Sequence, residues 1–250
     1  MRPGLWRRAA AGAWHVPAGF GFLLGRPGLW PLAVLPALLA AGLALAGGIA
    51  GVFAAPRLDE ILDPQRESRG AFSLMFAAVL WTATPVAAVL LGFGLGLLLA
   101  APLLDGVSLR VERIVRGRVR DTGRGVGWEV LQFLRGAAYF AMRTPLFLVV
   151  ALIPFVGPVI GALWGAHALA FGLTEGPLAR QGLDFLDRRL WHRRFRAESL
   201  GFGFAGLATL FIPFANLLVA PVLTVGATRL ALELLEYEKE AGLPPPAPGA

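Results

Sequence analysis

The most constraining feature of this sequence is a run of 31 residues, 144–174, that contains no Asp, Glu, Lys or Arg. A helix that crosses a bilayer needs about 20 apolar residues. Pro154 and the pair Gly157-Pro158 interrupt the run near its middle, and neither half reaches that length comfortably. Two arrangements are open: one long proline-kinked span, or a helix-turn-helix hairpin that enters the bilayer and returns to the same side.

The charges on both sides of this run favour the hairpin. Residues 105–143 carry eight arginines against four acidic residues, and residues 175–198 carry six arginines against four. Short basic loops are retained on the cytoplasmic side, and a single crossing would place one of these two loops outside. A re-entrant hairpin keeps both inside. Its turn then needs cover from neighbouring protein, which predicts a homo-oligomer.

Three more uncharged runs occupy residues 27–56, 70–104 and 199–228. The first two are long enough to cross a bilayer, and residues 57–69 between them are acidic by one charge, as expected of an external loop. An amphipathic pattern after Pro102 predicts that the second helix covers 71–116 and projects beyond the bilayer. The third run repeats at 212–214 the Ile-Pro-Phe of 153–155, which predicts a second hairpin.

These patterns predict an all-α integral membrane protein with two long transmembrane helices plus two hemi-penetrating helical hairpins. A content of 56% hydrophobic and 16% charged residues agrees with that class. We expect residues 1–25 to form an interfacial N-terminal segment, residues 26–240 the membrane domain, and residues 241–250 a disordered tail. The net charge of +7 comes from loops between apolar runs, a pattern that orients membrane proteins and does not predict a nucleic-acid partner.

The motifs of soluble enzymes are absent from the sequence, which has no GxSxG, HExxH or P-loop and no cysteine. The apolar runs hold no charged residue, so a proton relay inside the bilayer has no candidate. Helix ends remain, where orphan backbone N–H groups and nearby arginines suit an oxyanion. We therefore predict that the chain is not an enzyme and uses no metal or cofactor.

Five segments resemble the family of CysZ sulfate permeases, which includes the eukaryotic etoposide-induced membrane protein. They are RPGLWPLAVLP (26–36), AAPLLDGVSLRVE (100–112), IPFVGPVIG (153–161), TEGPLAR (174–180) and GFGFAGLATLFIPFANLLVAPVLTVGAT (201–228). The resemblance implies two true transmembrane helices, paired half-inserted hairpins, oligomers and sulfate entry. It also implies a bacterial inner membrane location, and we expect both termini to be cytoplasmic.

The resemblance further implies site residues. Gly28 and Leu29 match the motif that holds sulfate in the permeases, whereas Trp30 and Pro31 occupy its arginine positions and Arg26 is the nearest charge. The predicted anion-binding residues are Arg26, Gly28, Leu29 and Trp30. The predicted substrate is a small oxyanion, sulfate first; the alternative is a non-transporting membrane scaffold like the eukaryotic relatives. Pore or gating candidates are Glu112, Glu175 and Asn216, for which pairing with arginines or capping of a broken helix is the structural alternative.

Overall fold

A computed structural model describes residues 4–62, 70–119, 125–151, 153–210 and 216–243. The described residues form eight α-helices and a 3-10 helix, Pro27–Leu29, and contain no strand. The α-helices are α1 (Leu5–Leu24), α2 (Trp30–Leu62), α3 (Ala71–Arg116), α4 (Val126–Ala151), α5 (Val156–Arg180), α6 (Phe185–Arg194), α7 (Arg196–Thr209) and α8 (Asn216–Glu240). The chain divides into two compact units, Pro31–Leu104 and a larger one made of Met1–Trp30 with Asp105–Ala250.

The smaller unit is an antiparallel pair formed by α2 and the first part of α3. Small residues let the two backbones approach closely. A Cβ at Gly92 would collide with the carbonyl of Leu43, and one at Gly51 would lie 2.6 Å from Cα of Pro85. Gly92 and Gly96 thus lie in the close contact, whereas Gly94 has no atom within 4 Å of its Cβ position.

The bounds of these two helices test the sequence prediction directly. The helix expected over 71–116 is observed as α3, Ala71–Arg116. The loop expected at 57–69 begins later, because α2 continues to Leu62. There Trp81 Nε1 donates to Asp59 Oδ2 at 3.4 Å, which fixes the last turns of α2 against α3. Residues 63–69 lie outside the described residues.

The larger unit contains the hairpin predicted from the run 144–174. The helix stops at Ala151, and α5 begins at Val156 after Phe155, which has a φ of 65°. The aromatic rings of Phe147 and Trp164 stack with centroids 4.2 Å apart, and those of Phe140 and Phe171 meet at 5.4 Å. Residues later in α4 thus pair with residues earlier in α5, so the two helices are antiparallel.

The second predicted hairpin is formed by α7 and α8. A Cβ at Gly206 would lie 3.3 Å from Leu223 Cδ2, and one at Gly226 would lie 3.1 Å from Phe202 Cε2. These pairs again run antiparallel. The turn predicted at 212–214 lies outside the described residues, as do residues 244–250 of the predicted tail.

Helix α1 packs against both helices of this second hairpin. The face of α1 that carries Gly12 packs on α7, where a Cβ at Gly12 would collide with the Glu198 carbonyl. On the same face, Arg8 donates from Nε to Glu198 Oε1 at 2.7 Å. That hydrogen bond raises the pKa of Arg8. Toward α8, His15 Nε2 donates to Glu233 Oε2 at 3.1 Å and lowers the pKa of that carboxyl. The opposite face of α1 exposes Trp6 and Trp14.

A buried aromatic core joins α1, α5, α6, α7 and α8. Its members include Val16, Trp191, Phe195, Phe202 and Leu230, each at most 5% exposed. Helix α6 contributes Trp191 to this core. Asp184 and Asp187 form a capping box at the start of α6, where Asp184 Oδ1 accepts from the Asp187 N–H at 2.8 Å. The core therefore holds in place the polar side chains that α6 and α7 carry.

Candidate functional site

The segment 26–30 is the sharp connection between α1 and α2. Pro27 begins the 3-10 helix, a position where its missing N–H costs nothing and its fixed φ suits a helical start. Leu29 is 2% exposed and anchors the turn. The indole Nε1 of Trp30 donates to the Leu23 carbonyl at 3.0 Å, which ties the start of α2 back to the end of α1.

Only part of the backbone in this turn is free to bind a ligand. The Leu29 N–H donates to the Arg26 carbonyl at 2.9 Å, and the Trp30 N–H donates to the Pro27 carbonyl. Within the described part of the chain the Gly28 N–H has no acceptor. Gly28 also has open space where a Cβ would stand, so a ligand oxygen meets no side chain at that position.

Arg26 lies on an aromatic ring of α1. Its guanidinium carbon is 3.7 Å from the centroid of Phe22, a cation–π contact. Its Nη1 is 3.5 Å from the Phe22 carbonyl oxygen, which is long for a hydrogen bond. A second guanidinium, that of Arg229, lies 5.2 Å from the same ring centroid. The Phe22 ring thus gathers two cations beside the turn.

Arg110 is the residue of this site that the sequence did not reveal. Its Nη1 donates to the Gly28 carbonyl at 3.0 Å, and the side chain is exposed. The two residues are 82 positions apart, so no local pattern connects them. The structure therefore supplies a guanidinium from α3 to a turn where the sequence places Trp30 and Pro31 instead of arginines.

Glu112 lies away from solvent in an ion-pair network. It is 0% exposed, and its two carboxylate oxygens accept from Arg180 Nε and Gln181 Nε2, each at 2.9 Å. Arg180 also donates to Asp105 Oδ1 at 2.7 Å and to Ser108 Oγ at 2.5 Å. This network fastens the end of α3 to the end of α5.

Glu175 forms a separate pair. Arg188, itself 1% exposed, donates from Nη1 to Glu175 Oε1 at 2.7 Å and so joins α6 to α5. Glu112 and Glu175 thus pair with different arginines, as the structural alternative predicts. Asn216 is the first residue of α8, and its side chain lies outside the described residues, so its capping or pore role stays a prediction.

A buried histidine lies between α5 and α7. Thr174 Oγ1 donates to the Ala170 carbonyl at 2.8 Å, which leaves its lone pair to accept from His192 Nε2 at 3.0 Å. The other ring nitrogen, Nδ1, then accepts from Ser199 Oγ at 3.0 Å. Burial, followed by the nearby His167 and Arg188, lowers the pKa of His192 to about 3. The ring is therefore neutral and fully hydrogen-bonded.

These observations define a class of protein. Three helical segments, Pro27–Leu62, Ser73–Arg116 and Val156–Arg180, are long and apolar enough to cross a membrane. The chain is an integral membrane protein whose described residues form helices and no strand, with a basic turn at the start of α2. The third segment adds one candidate to the two long spans that the sequence predicts.

The family follows from comparison with known proteins. Residues 16–221 match the model of the family described as "Sulfate transporter CysZ/Etoposide-induced protein 2.4", and the chain belongs to this family. The family description names a transporter and not an enzyme.

Similar proteins carry the same name. A "Sulfate transporter CysZ" of Pseudomonas fluorescens is 30% identical over 143 residues, which cover 52% of this chain and 57% of that relative. A second, of Pectobacterium atrosepticum, is 33% identical over 99 residues, 37% of this chain and 35% of the relative. A third, of Vibrio parahaemolyticus, is 26% identical over 153 residues, 56% and 61% of the two chains. The chain thus spans little more than half the length of the first of these relatives.

Proposed function

We infer that this protein carries a small oxyanion, sulfate first, across the membrane and that the turn 26–30 binds the anion. Membership of the transporter family supports the substrate class. The observation that carries the site is the hydrogen bond from Arg110 to the Gly28 carbonyl. It brings a second guanidinium to the turn from another helix, where the sequence has Trp30 and Pro31 in place of the arginines of the family.

The chemistry of the turn suits a tetrahedral dianion. The free N–H of Gly28 lies at the start of α2, where the helix dipole adds partial positive charge. Arg26 and Arg110 offer further N–H donors, and charge-assisted hydrogen bonds to an oxyanion are about twice as strong as neutral ones. Arg110 uses one of its five donors on the Gly28 carbonyl, which leaves the others for the anion.

The hairpin of α4 and α5 enters the bilayer without crossing it in this proposal. Its tip is apolar, with Ile153 50% exposed, Phe155 92% and Val156 50%. Three exposed hydrophobic side chains are unfavourable in water, whereas their transfer into the hydrocarbon of the bilayer is favourable. Part of the backbone of the tip is paired internally, because the Gly157 N–H donates to the Ile153 carbonyl at 2.8 Å.

The same arrangement sets the topology. Helices α2 and α3 cross the bacterial inner membrane, the pairs α4–α5 and α7–α8 enter from the cytoplasmic side, and both termini are cytoplasmic. The exposed apolar faces around the hairpins meet other copies of the chain, so the working form is a homo-oligomer. Cross-linking in native membranes tests that assembly; a chain that stays monomeric there contradicts it.

The test of transport is flux of labelled sulfate into proteoliposomes that contain the full chain. We expect uptake above that of empty vesicles, and Arg26→Gln and Arg110→Gln each to weaken sulfate affinity about tenfold or more, since each removes a charged hydrogen bond. Arg7→Gln is the matched control, because Arg7 is an exposed arginine on α1. If both site variants bind sulfate as tightly as the wild type, the turn 26–30 is not the anion-binding site. If neither sulfate nor another oxyanion is transported, the alternative of a non-transporting membrane scaffold is favoured.

A further inference from the structure

The larger unit contains a basic cavity away from the turn 26–30. It has a volume of about 510 Å³ and is bounded by α4, α5, α6 and α7. Three arginines line it, Arg189, Arg193 and Arg196, and no acidic residue does. The cavity is therefore a concentrated positive site, within the 300–1,000 Å³ or so that small-molecule pockets occupy.

Two of these arginines have no partner to neutralise them. Arg193 and Arg196 are exposed and form no hydrogen bond or ion pair with the residues that the structure describes. Arg189 lies over the Tyr139 ring, with its guanidinium carbon 4.7 Å from the centroid. A cation–π contact leaves the guanidinium N–H groups free to donate at the ring's edge. All three side chains thus keep donors for a ligand.

The remaining wall has the opposite character. Leu163 and Leu200 line the cavity, and Leu163 lies on α5, one of the helices apolar enough to span a membrane. Between the two surfaces lies the His192 and Ser199 pair, which adds no charge because that histidine is buried and neutral. The cavity thus places guanidinium groups next to an apolar surface on the side of α5.

We propose that this cavity binds the headgroup of an anionic phospholipid. The guanidinium groups hold the lipid phosphate through charge-assisted hydrogen bonds, and the leucine wall covers the upper part of its acyl chains. A free inorganic oxyanion would use only the first of these surfaces. Basic pockets beside membrane helices on the cytoplasmic side are suited to such headgroups.

The test measures lipid binding to the delipidated full chain by native mass spectrometry. Dioleoyl phosphatidylglycerol is compared with dioleoyl phosphatidylcholine, which has the same acyl chains but no net charge. We expect the anionic lipid to bind about tenfold more tightly or better, and the double variant Arg193→Gln/Arg196→Gln to lose at least that factor. Arg113→Gln, which removes an exposed arginine of α3 outside the cavity, should bind like the wild type.

Soluble anions distinguish a lipid site from a free-anion site. Glycerol 3-phosphate, inorganic phosphate and sulfate at millimolar concentration should each leave the bound phosphatidylglycerol in place. Displacement by any of them overturns the lipid assignment. Equal binding of both lipids, or unchanged binding in the double variant, also overturns it. Helix content measured by circular dichroism confirms that the double variant is folded, as expected for two exposed side chains.

Discussion

Arg180 donates from Nε to Glu112 Oε2 at 2.9 Å, and the carboxylate that accepts this bond has no exposure to solvent. Removing one partner of a buried ion pair leaves the other charge uncompensated, which costs about 3–5 kcal/mol. The pair joins α3 to α5, so its loss should loosen the whole larger unit.

Arg180→Ala should therefore lower the free energy of unfolding by about 3–5 kcal/mol, because it leaves the buried Glu112 carboxylate without a cation. Asp105→Asn is the control, since Asp105 binds the same guanidinium but its side chain is 51% exposed; we expect a loss of about 0–1 kcal/mol there. The measurement is unfolding of the purified chain in mixed micelles. If the two variants lose equal stability, the buried pair does not hold the helices together.

A methyl group at Gly201 should separate α1 from α7. A Cβ there would collide with the carbonyl of Ala9, and overpacking of this kind costs about 1–3 kcal/mol. Gly21→Ala is the opposite case: no atom lies within 4 Å of its Cβ position. Inside a helix this change should stabilise by about 0.5–1 kcal/mol. Thermal unfolding in detergent compares them, and a stabilising Gly201→Ala would show that α1 is not packed on α7.

Stability should fall as the solution becomes acidic because of His192. Its pKa is about 3 in the folded chain and 6.5 in the unfolded chain, so between these values the unfolded chain binds one more proton. Stability is complete above about pH 6.5 and is lost by about 1.4 kcal/mol per pH unit below it.

The variant His192→Gln should remove this contribution, since glutamine keeps a donor and an acceptor but does not titrate. Unfolding measured from pH 7.5 down to pH 5 compares the variant with the wild type; carboxyl groups titrate alike in both. Parallel pH profiles would mean that His192 has the same pKa in the folded and the unfolded chain, so that burial does not hold it neutral.

Surface labelling of single cysteines tests the topology, and the chain has no cysteine of its own. Leu186→Cys lies on α6 and is 47% exposed at that position; Ile61→Cys lies near the end of α2 and is 72% exposed. A membrane-impermeant maleimide added to intact spheroplasts should label residue 61 and spare residue 186. Efficient labelling of residue 186 from outside would exclude a cytoplasmic α6 and with it the half-inserted hairpin.

Features of the fold that depend on neighbouring residues were predictable from the sequence. Helix α3 spans the residues expected from its uncharged run and amphipathic extension. The break between α4 and α5 follows from Pro154, which cannot continue a helix without losing a hydrogen bond. The short helix α6 was missed, although Asp184 and Asp187 have the spacing of a capping box.

Contacts between distant residues were not predictable. No periodicity or motif links Arg110 to Gly28, and their contact exists because hydrogen bonds hold the end of α3 against α5 and α8 within the larger unit. Pairing of Glu112 with an arginine was predicted, but its partner Arg180, 68 positions away, was not. The site residues named from the family resemblance remain predictions, and the transport experiments decide their roles.

The docking of α1 on α7 and α8 determines when the larger unit can close. A ribosome makes residues 5–24 before residues 196–240, and the whole of the smaller unit is synthesised between them. Until residues 196–240 are made, the glycine face of α1 has no partner. The contacts of α1 with α7 and α8 therefore form late, because the residues that make them are far apart in sequence. A chain interrupted before α7 therefore leaves the glycine face of α1 without either of its partner helices.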